Sequence, residues 1–429
     1  MLVVVGQGTV ASTTLAAKPE RGAPTSRSSA DDARVDSMTL EALLSRWLTH
    51  SREVEAWRSE IGAAQFDVVT ASLLPNPSIG LESMGTFIGR DDPPDGLINF
   101  GVRIEMPLPI FGQRRARSTA ATRALDVAQM VVATLVWERA ADIREAAVGR
   151  AYADLQVELA EQAIADLAEV RRVITSRADA GVAPRYDAAR VEILHASLEA
   201  EAERARLERD RIEARLVSAI ADPTLDAAPV RRSGLTRLRD MLDETLLVRR
   251  ALETRPDLLL ERRGEQARLA EAEEHRIDAR PTPSLYVGTY IARNDDSVNI
   301  IGGIAMPIPA FDRNQGLQGR AKAEARAHAE RSRALEARIR VEVRGALRTL
   351  RLAEEARDRF EQTGVSATAD LLERAWRAYQ GGAFTIAELL DAYQAVWDSR
   401  HKGLDLERAV AAAEAELHRV TGGLLVASS

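Results

Sequence analysis

The chain has 429 residues, a formal net charge of −7, 29% charged and 45% hydrophobic residues, and no cysteine. Too much apolar content for a disordered chain, no thiol for disulfides, thiolate metal sites or lipid attachment, and acids and bases too interleaved for a nucleic-acid surface exclude those classes. No run of about 18 apolar residues indicates a transmembrane helix, and with aromatics at only 4% the dominant Ala, Glu, Arg and Leu point to long packed helices.

Residues 1–38 read as a signal-like segment and a polar tether. Leu2 to Val5 is apolar and Leu15-Ala16-Ala17 stands where a cleavage point would, yet no Lys or Arg precedes Lys18. A weak export signal and a misplaced start both stay open. Thr39 fits an N-cap. Helix then continues, with breaks, to about Leu74, where Pro75-Asn76-Pro77 stops it. Ser78 to Met84 alternates, with Ile79 and Leu81 on one side, and Asp91-Asp92-Pro93-Pro94-Asp95-Gly96 marks a loop. Asn99 to Met106 alternates cleanly. Phe100, Val102, Ile104 and Met106 share one face; Asn99, Gly101, Arg103 and Glu105 share the other.

A helix is expected from about Gln113 to Arg177, roughly 98 Å at 1.5 Å per residue. Such a helix needs lateral partners. Its apolar stripe, Leu125, Ala128, Val132, Val136, Ala140, Ile143, Ala147, Ala151 and Leu155, has a mean spacing of about 3.75, so a left-handed heptad dimer does not fit it. Gly181-Val182-Ala183-Pro184 turns the chain, and a helix returns to about Ala221. Asp222-Pro223 and the stretch to Gly234 form a linker. The module then repeats. A helix reaches Thr254, Pro256 opens the next, and Pro281-Thr282-Pro283 ends it. Ser284 to Ile291 and Val298 to Met306 form a second strand pair, and a helix of similar length runs from about Gln315 to Gln380. Gly381-Gly382 turns it, and a last helix ends near Thr421-Gly422. Met106-Pro107-Leu108-Pro109-Ile110-Phe111 returns as Met306-Pro307-Ile308-Pro309-Ala310-Phe311, each copy closing strands and opening a long helix. The expected organisation is a first repeat over 39–234, with its tip at 181–184, a second over 235–422, with its tip at 381–384, and a tail from 423 to 429.

Two hairpins cannot cover their own edges. Strands of about nine or ten residues with one apolar face suit a membrane barrel. Leu285, Val287, Thr289 and Ile291 keep the pattern, as do Val298, Ile300, Gly302 and Ile304, and Phe111 and Phe311 follow where an interfacial aromatic girdle lies. Arg103 and Glu105, opposite an apolar face, fit a water-filled lumen, and the edge of a soluble sandwich would accommodate them too. Four strands are too few to close a barrel, so several chains would share one. The expected fold class is mainly α with a small β part, a duplicated strand-hairpin and long-helix module.

On these residues the chain resembles the TolC-like outer membrane efflux protein family, over about 39–422. The resemblance is carried by Leu74-Pro75-Asn76-Pro77-Ser78, by Arg255-Pro256-Asp257-Leu258, and by the match of Arg177 to Ala183 with Ala378 to Ala383. The run from Pro307 to Gly316 is most similar to the heavy-metal cation efflux branch. The resemblance implies a homotrimer with a twelve-stranded barrel in outer-membrane lipid and a twelve-helix periplasmic tunnel. It implies a passive exit duct for metal cations or small toxic compounds. Its partners would be a periplasmic adaptor (membrane fusion protein) and an inner-membrane efflux pump of the resistance-nodulation-division type. Gly181, Val182 and Ala183, with Gly381, Gly382 and Ala383, would contact the adaptor; Ala383 stands where Leu or Val is common. Glu388 and Asp391 fall at the acidic positions that narrow the periplasmic entrance, the first being Glu where the family has Asp. Asp187 is the first-repeat counterpart of Glu388.

No phosphate loop, nucleophile elbow or His-Asp-Ser set supports enzyme chemistry, and no cofactor is implied. His50, His195, His275, His328, His401 and His418 lack metal-ligand spacing and read as solvated helix positions. Two further readings stand beside the efflux duct. One is the outer-membrane component of a type I protein secretion system. The other is a soluble coiled-coil scaffold, which has no need of the duplicated strands.

Overall fold

Proline, glycine and the two-residue alternation place the element boundaries close to where the sequence predicts them. The computed structural model describes residues 39–85, 98–222, 243–292, 297–365, 368 and 370–423. Residues 1–38, the first hairpin loop, the linker from 223 and the tail from 424 lie outside them. The elements are α1 Leu40–His50, α2 Arg52–Ser72, β1 Ser78–Gly85, β2 Ile98–Pro107, α3 Gln113–Asp179, α4 Arg185–Ile220, α5 Glu244–Thr254, α6 Pro256–Asp278, β3 Ser284–Ala292, β4 Ser297–Ala305 and α7 Gln315–Phe360. A π-helical turn follows at Glu361–Val365, then α8 Leu371–Gln380 and α9 Ile386–Val420.

The second long helix departs from expectation. α3 runs unbroken for 67 residues, whereas α7 stops at Phe360 and gives way to the π-helical turn. Three local features explain the break. The Thr363 hydroxyl donates back to the Arg359 carbonyl at 2.9 Å, which bends helices. Gly364 costs a helix about 1 kcal/mol relative to Ala, and a Cβ there would lie 2.8 Å from the Phe360 ring. The freed Gly364 carbonyl accepts from the Ser399 hydroxyl of α9 at 3.3 Å.

α3 also holds a stretch that is long and apolar enough, by length and composition alone, to cross a membrane, although it has no unbroken apolar run. Its apolar character comes from Ala, Val, Leu and Met spread around the helix, which a search for one unbroken apolar run does not register.

The chain forms two compact units. One is His50–Arg139 with Asp243–Gly345. It holds a four-stranded sheet in the order β1-β2-β3-β4, antiparallel throughout. The pairing of β2 with β3, from Phe100↔Ile291 to Pro107↔Ser284, joins the two hairpins into one sheet. The helices of this unit follow the same order. α2 runs antiparallel to the first part of α3, with Glu53 3.2 Å from Arg139 and Arg114 donating to the Ser72 carbonyl at 2.5 Å. α3 meets α6 through Asp126 and Arg263, 3.9 Å apart. α6 meets α7 through Arg262–Glu336 at 2.8 Å and Arg268–Glu324 at 3.2 Å. Buried Arg255 fixes the break between α5 and α6. Its guanidinium pairs with Asp257 and Glu342, both at 2.6 Å, and lies 5.2 Å from the Trp137 ring centroid. Pro256 holds Arg255 extended at ψ 121°, ending α5 and opening α6.

The other unit is Met1–Thr49, Ala140–Leu242 and Ala346–Ser429. Within it the second part of α3 packs with α4, α8 and α9 around Leu167, Val170, Ile174, Val191, Leu198, Ala375, Ile386, Leu389 and Leu390. Ion pairs flank the seams: Glu161–Arg206 and Arg171–Glu192 at 2.6 Å, Asp166–Arg400 at 3.2 Å. Exposed pairs of this kind are screened by solvent and contribute little. Each fully buried Leu or Ile contributes about 1.5–3 kcal/mol, so the apolar core decides the bundle.

The histidines are not uniformly solvated. His195 and His418 are buried. His195 lies on the inward face of α4 between Val191 and Leu198, with Arg171 at 3.3 Å and Glu199 at 3.5 Å satisfying its ring nitrogens.

Leu389 is fully buried at the centre of this core. Leu389→Ala is expected to destabilise the bundle by about 2–5 kcal/mol. The check is the urea midpoint of helical circular dichroism for purified protein in detergent, and an unchanged midpoint would contradict the packing.

Candidate channel lining and entrance

Register sorts the sheet residues into two unlike faces. Across one face run Ile79-Ile104-Val287-Gly302 and Leu81-Val102-Thr289-Ile300. Leu81 is 83% exposed and Ile300 80%. An apolar face this open is a lipid face in a barrel and an aggregation hazard elsewhere.

The opposite face carries Glu82, Arg103, Glu105, Tyr286, Tyr290 and Asn299. Three large side chains there stand opposite a glycine: Tyr290 opposite Gly101, Arg103 opposite Gly288, Tyr286 opposite Gly303. A Cβ at Gly101 would sit 2.5 Å from the Tyr290 ring, one at Gly303 2.5 Å from the Tyr286 hydroxyl, and one at Gly288 2.8 Å from the Val102 carbonyl. The two rings therefore lie flat along the wall, while Gly288 lets the backbones of β2 and β3 approach closely. Alternating large and small residues is how the concave side of a small barrel is filled. The polar face has the pattern of such a concave side. There Arg103 reaches Glu82 at 2.6 Å and lies 5.4 Å from the Tyr286 ring centroid, while the Tyr290 hydroxyl donates to the other Glu82 oxygen. Arg103 and Glu105 both occur on this face, as their alternation predicts. Glu82, Tyr286 and Tyr290 were missed, although Glu82 carries the same alternation signal in β1.

The two tips share one geometry. After α3, Val182 N–H donates to Arg177 O at 2.9 Å and Gly181 N–H to Ala178 O at 3.0 Å. After α8, Ala383 N–H donates to Ala378 O at 2.9 Å and Gly382 N–H to Tyr379 O at 3.0 Å. This is the Schellman pattern of helix ends. It needs a left-handed residue, here Gly181 at φ +72° and Gly382 at φ +77°. Gly381 has ordinary helical φ and serves no such need. Val182, Ala383 and Phe384 are exposed and Ala183 is half-buried. Both hairpins contribute to one core, so both tips belong to the same bundle.

Glu388 is the third residue of α9. Thr385 donates to its Oε2 from the backbone N–H at 2.7 Å and from the hydroxyl at 2.8 Å, and Glu388 N–H donates back to Thr385 Oγ1 at 3.4 Å. This capping box gives Glu388 a local duty that its spacing from Asp391 does not reveal. The Thr385 backbone and side-chain bonds hold its carboxyl below the usual carboxylate range. The capping contribution is therefore present above the ordinary carboxylate pKa and is lost as pH falls through the lowered value. Asp187 is the third residue of α4, but Pro184 occupies the cap and offers no side-chain bond. Asp391 is exposed one turn beyond Glu388. Among the described residues no group of three or more potential metal ligands gathers.

The outer membrane efflux protein family matches residues 43–222 and 247–423, which is most of the chain. The chain belongs to this family. It is 24% identical over 397 residues to the cobalt-zinc-cadmium resistance protein CzcC of Cupriavidus metallidurans, covering 90% of each. Its fold is that of solved outer-membrane proteins. VceC of Vibrio cholerae superposes with a TM-score of 0.70 at 16% identity, over 89% of this chain and 96% of that one. The CmeC outer membrane channel of Campylobacter jejuni gives 0.71 at 13% identity, over 94% of each. As an outer membrane efflux protein the chain resides in the outer membrane, and the apolar sheet face has the chemistry that location requires.

A cation on the apolar face near the bilayer midplane costs about 2–4 kcal/mol. Val102→Arg or Ile300→Arg should therefore lower the outer-membrane level far more than Arg103→Ala on the polar face. Immunoblots of outer-membrane fractions check this, and equal levels for all three variants would contradict the face assignment.

Proposed function

We propose that three copies of this chain form a passive exit duct: a twelve-stranded barrel in the outer membrane continued by a twelve-helix periplasmic tunnel. The observation that carries this reading is an antiparallel sheet whose two edges are open among the described residues, with one largely apolar face and a polar, glycine-relieved face. Four strands are too few to enclose a lumen. Within the sheet unit the helices follow the strand order, so α2 and α7 are left at the edges as β1 and β4 are.

The duct works with a periplasmic adaptor, received at the tips by Gly181, Val182, Ala183, Gly381, Gly382 and Ala383, and with an inner-membrane pump of the resistance-nodulation-division type. Metal cations are the cargo class, supported by the likeness to CzcC along nearly the whole chain. The duct needs no resident metal site for this, because the pump selects the cargo.

Threefold symmetry brings three copies of Glu388 and of Asp391 around the tunnel entrance, with Asp187 at the equivalent point of the other hairpin. Such a ring favours cations over anions. The charge-removing variants should keep the cap. Glu388→Gln retains an acceptor for Thr385, whereas Glu388→Ala removes the bonds that Thr385 donates to it. In planar bilayers the wild-type chain is expected to conduct cations preferentially and to be blocked by divalent cations from the tip side. Glu388→Gln with Asp391→Asn should weaken both effects with the trimer intact. Wild-type selectivity and block in the double variant would place these residues away from the entrance.

A further inference from the structure

The polar sheet face carries three charged side chains among the described residues, Glu82, Arg103 and Glu105, and they are not equivalent. Arg103 and Glu82 neutralise each other at 2.6 Å. The pair is fixed on every side. Gly288 opposite Arg103 lets the backbones of β2 and β3 approach closely. The Tyr286 ring lies beneath the guanidinium and the Tyr290 hydroxyl occupies the second Glu82 oxygen. Glu105 is half-buried and stands opposite Ser78 on one side and Tyr286 on the other, at the end of the sheet that leads into α3. Neither neighbour carries a charge, and among the described residues no cation pairs with its carboxylate. Among the described residues the face therefore holds one uncompensated charge per chain, and it is negative.

We propose that Glu105, and not Arg103, sets the charge preference of the barrel. Resting on the trimeric duct above, this makes three Glu105 carboxylates a ring in the barrel wall where the tunnel enters it. A pinned ion pair presents a dipole whose field falls off quickly, whereas a lone carboxylate in a confined aqueous pore acts as a full charge on every passing ion. Cations, hydrated metal ions included, are the favoured passengers, and the conspicuous arginine in the wall does not oppose them. Arg103 and Glu82 hold the wall flat and electrically quiet.

The test is the reversal potential of single channels in a salt gradient, measured in the full chain carrying Glu388→Gln and Asp391→Asn so that the entrance charge does not mask the barrel. Glu105→Gln should shift the potential away from cation preference. Glu82→Gln, which releases Arg103, should shift it the same way. Arg103→Gln, which releases Glu82, should shift it towards cations. As a second measurement, Glu105→Cys in this cysteine-free chain should react with charged thiosulfonates from the aqueous phase, cationic and anionic reagents moving the potential in opposite directions. A conducting channel whose potential ignores Glu105→Gln, or a Cys at this position that does not react, would overturn the assignment while leaving the duct in place. A wild-type chain that never conducts would overturn the duct and the assignment together.

Discussion

Unpaired backbone along the outer sides of β1 and β4 is the constraint on which this structure depends. In lipid each unsatisfied N–H or C=O costs several kcal/mol, and only helices and closed barrels avoid that cost. A chain that contributes four strands with an apolar face has met half of the requirement and left the other half to its copies. The helices respect the same logic at lower stakes. Their seams within each unit are lined by ion pairs of small individual value, and an edge helix, unlike an edge strand, exposes side chains without exposing unpaired backbone.

Curvature follows from the same closure. A sheet that bends around a pore crowds its inner face, and this chain relieves the crowding with Gly101, Gly288 and Gly303, each facing a long or aromatic partner on the neighbouring strand. The outer face has no such need and carries β-branched and aliphatic residues. One residue choice thus serves shape and chemistry together: the glycines let Tyr286 and Tyr290 lie flat, and flat side chains leave an aqueous path whose charge is set by what remains unpaired.

Much of this was legible in the sequence, for reasons that differ by element. Strand faces follow from a period of two, which no tertiary context can shift without moving every side chain to the other face. The tips follow from glycine at φ > 0. The strand pairing of β2 with β3 was not legible, because it links segments separated by four helices, α3 to α6, and nothing local specifies it. The break after Phe360 was not legible either. Gln362-Thr363-Gly364 contains no proline, and the break depends on the Phe360 ring and on Ser399 from another helix. His195 and His418 look like any polar helix residue until their faces are known. At the entrance, Thr385 followed three residues later by Glu388 is a capping-box pattern in plain view; the acidic spacing to Asp391 drew attention away from it.

The most direct test of the account is whether β4 of one copy meets β1 of the next. The chain contains no cysteine, so a disulfide between Leu81→Cys in β1 and a cysteine moved along β4 from Val298 to Ile304 reports only the introduced pair. β1 and β4 lie at opposite edges of the sheet, and a disulfide requires Cα atoms closer than about 7 Å, so such a bond must join separate copies. The account predicts a covalent trimer on oxidation of outer membranes at a same-face register, with no larger species. Monomers alone, or an open-ended ladder of oligomers, would contradict it.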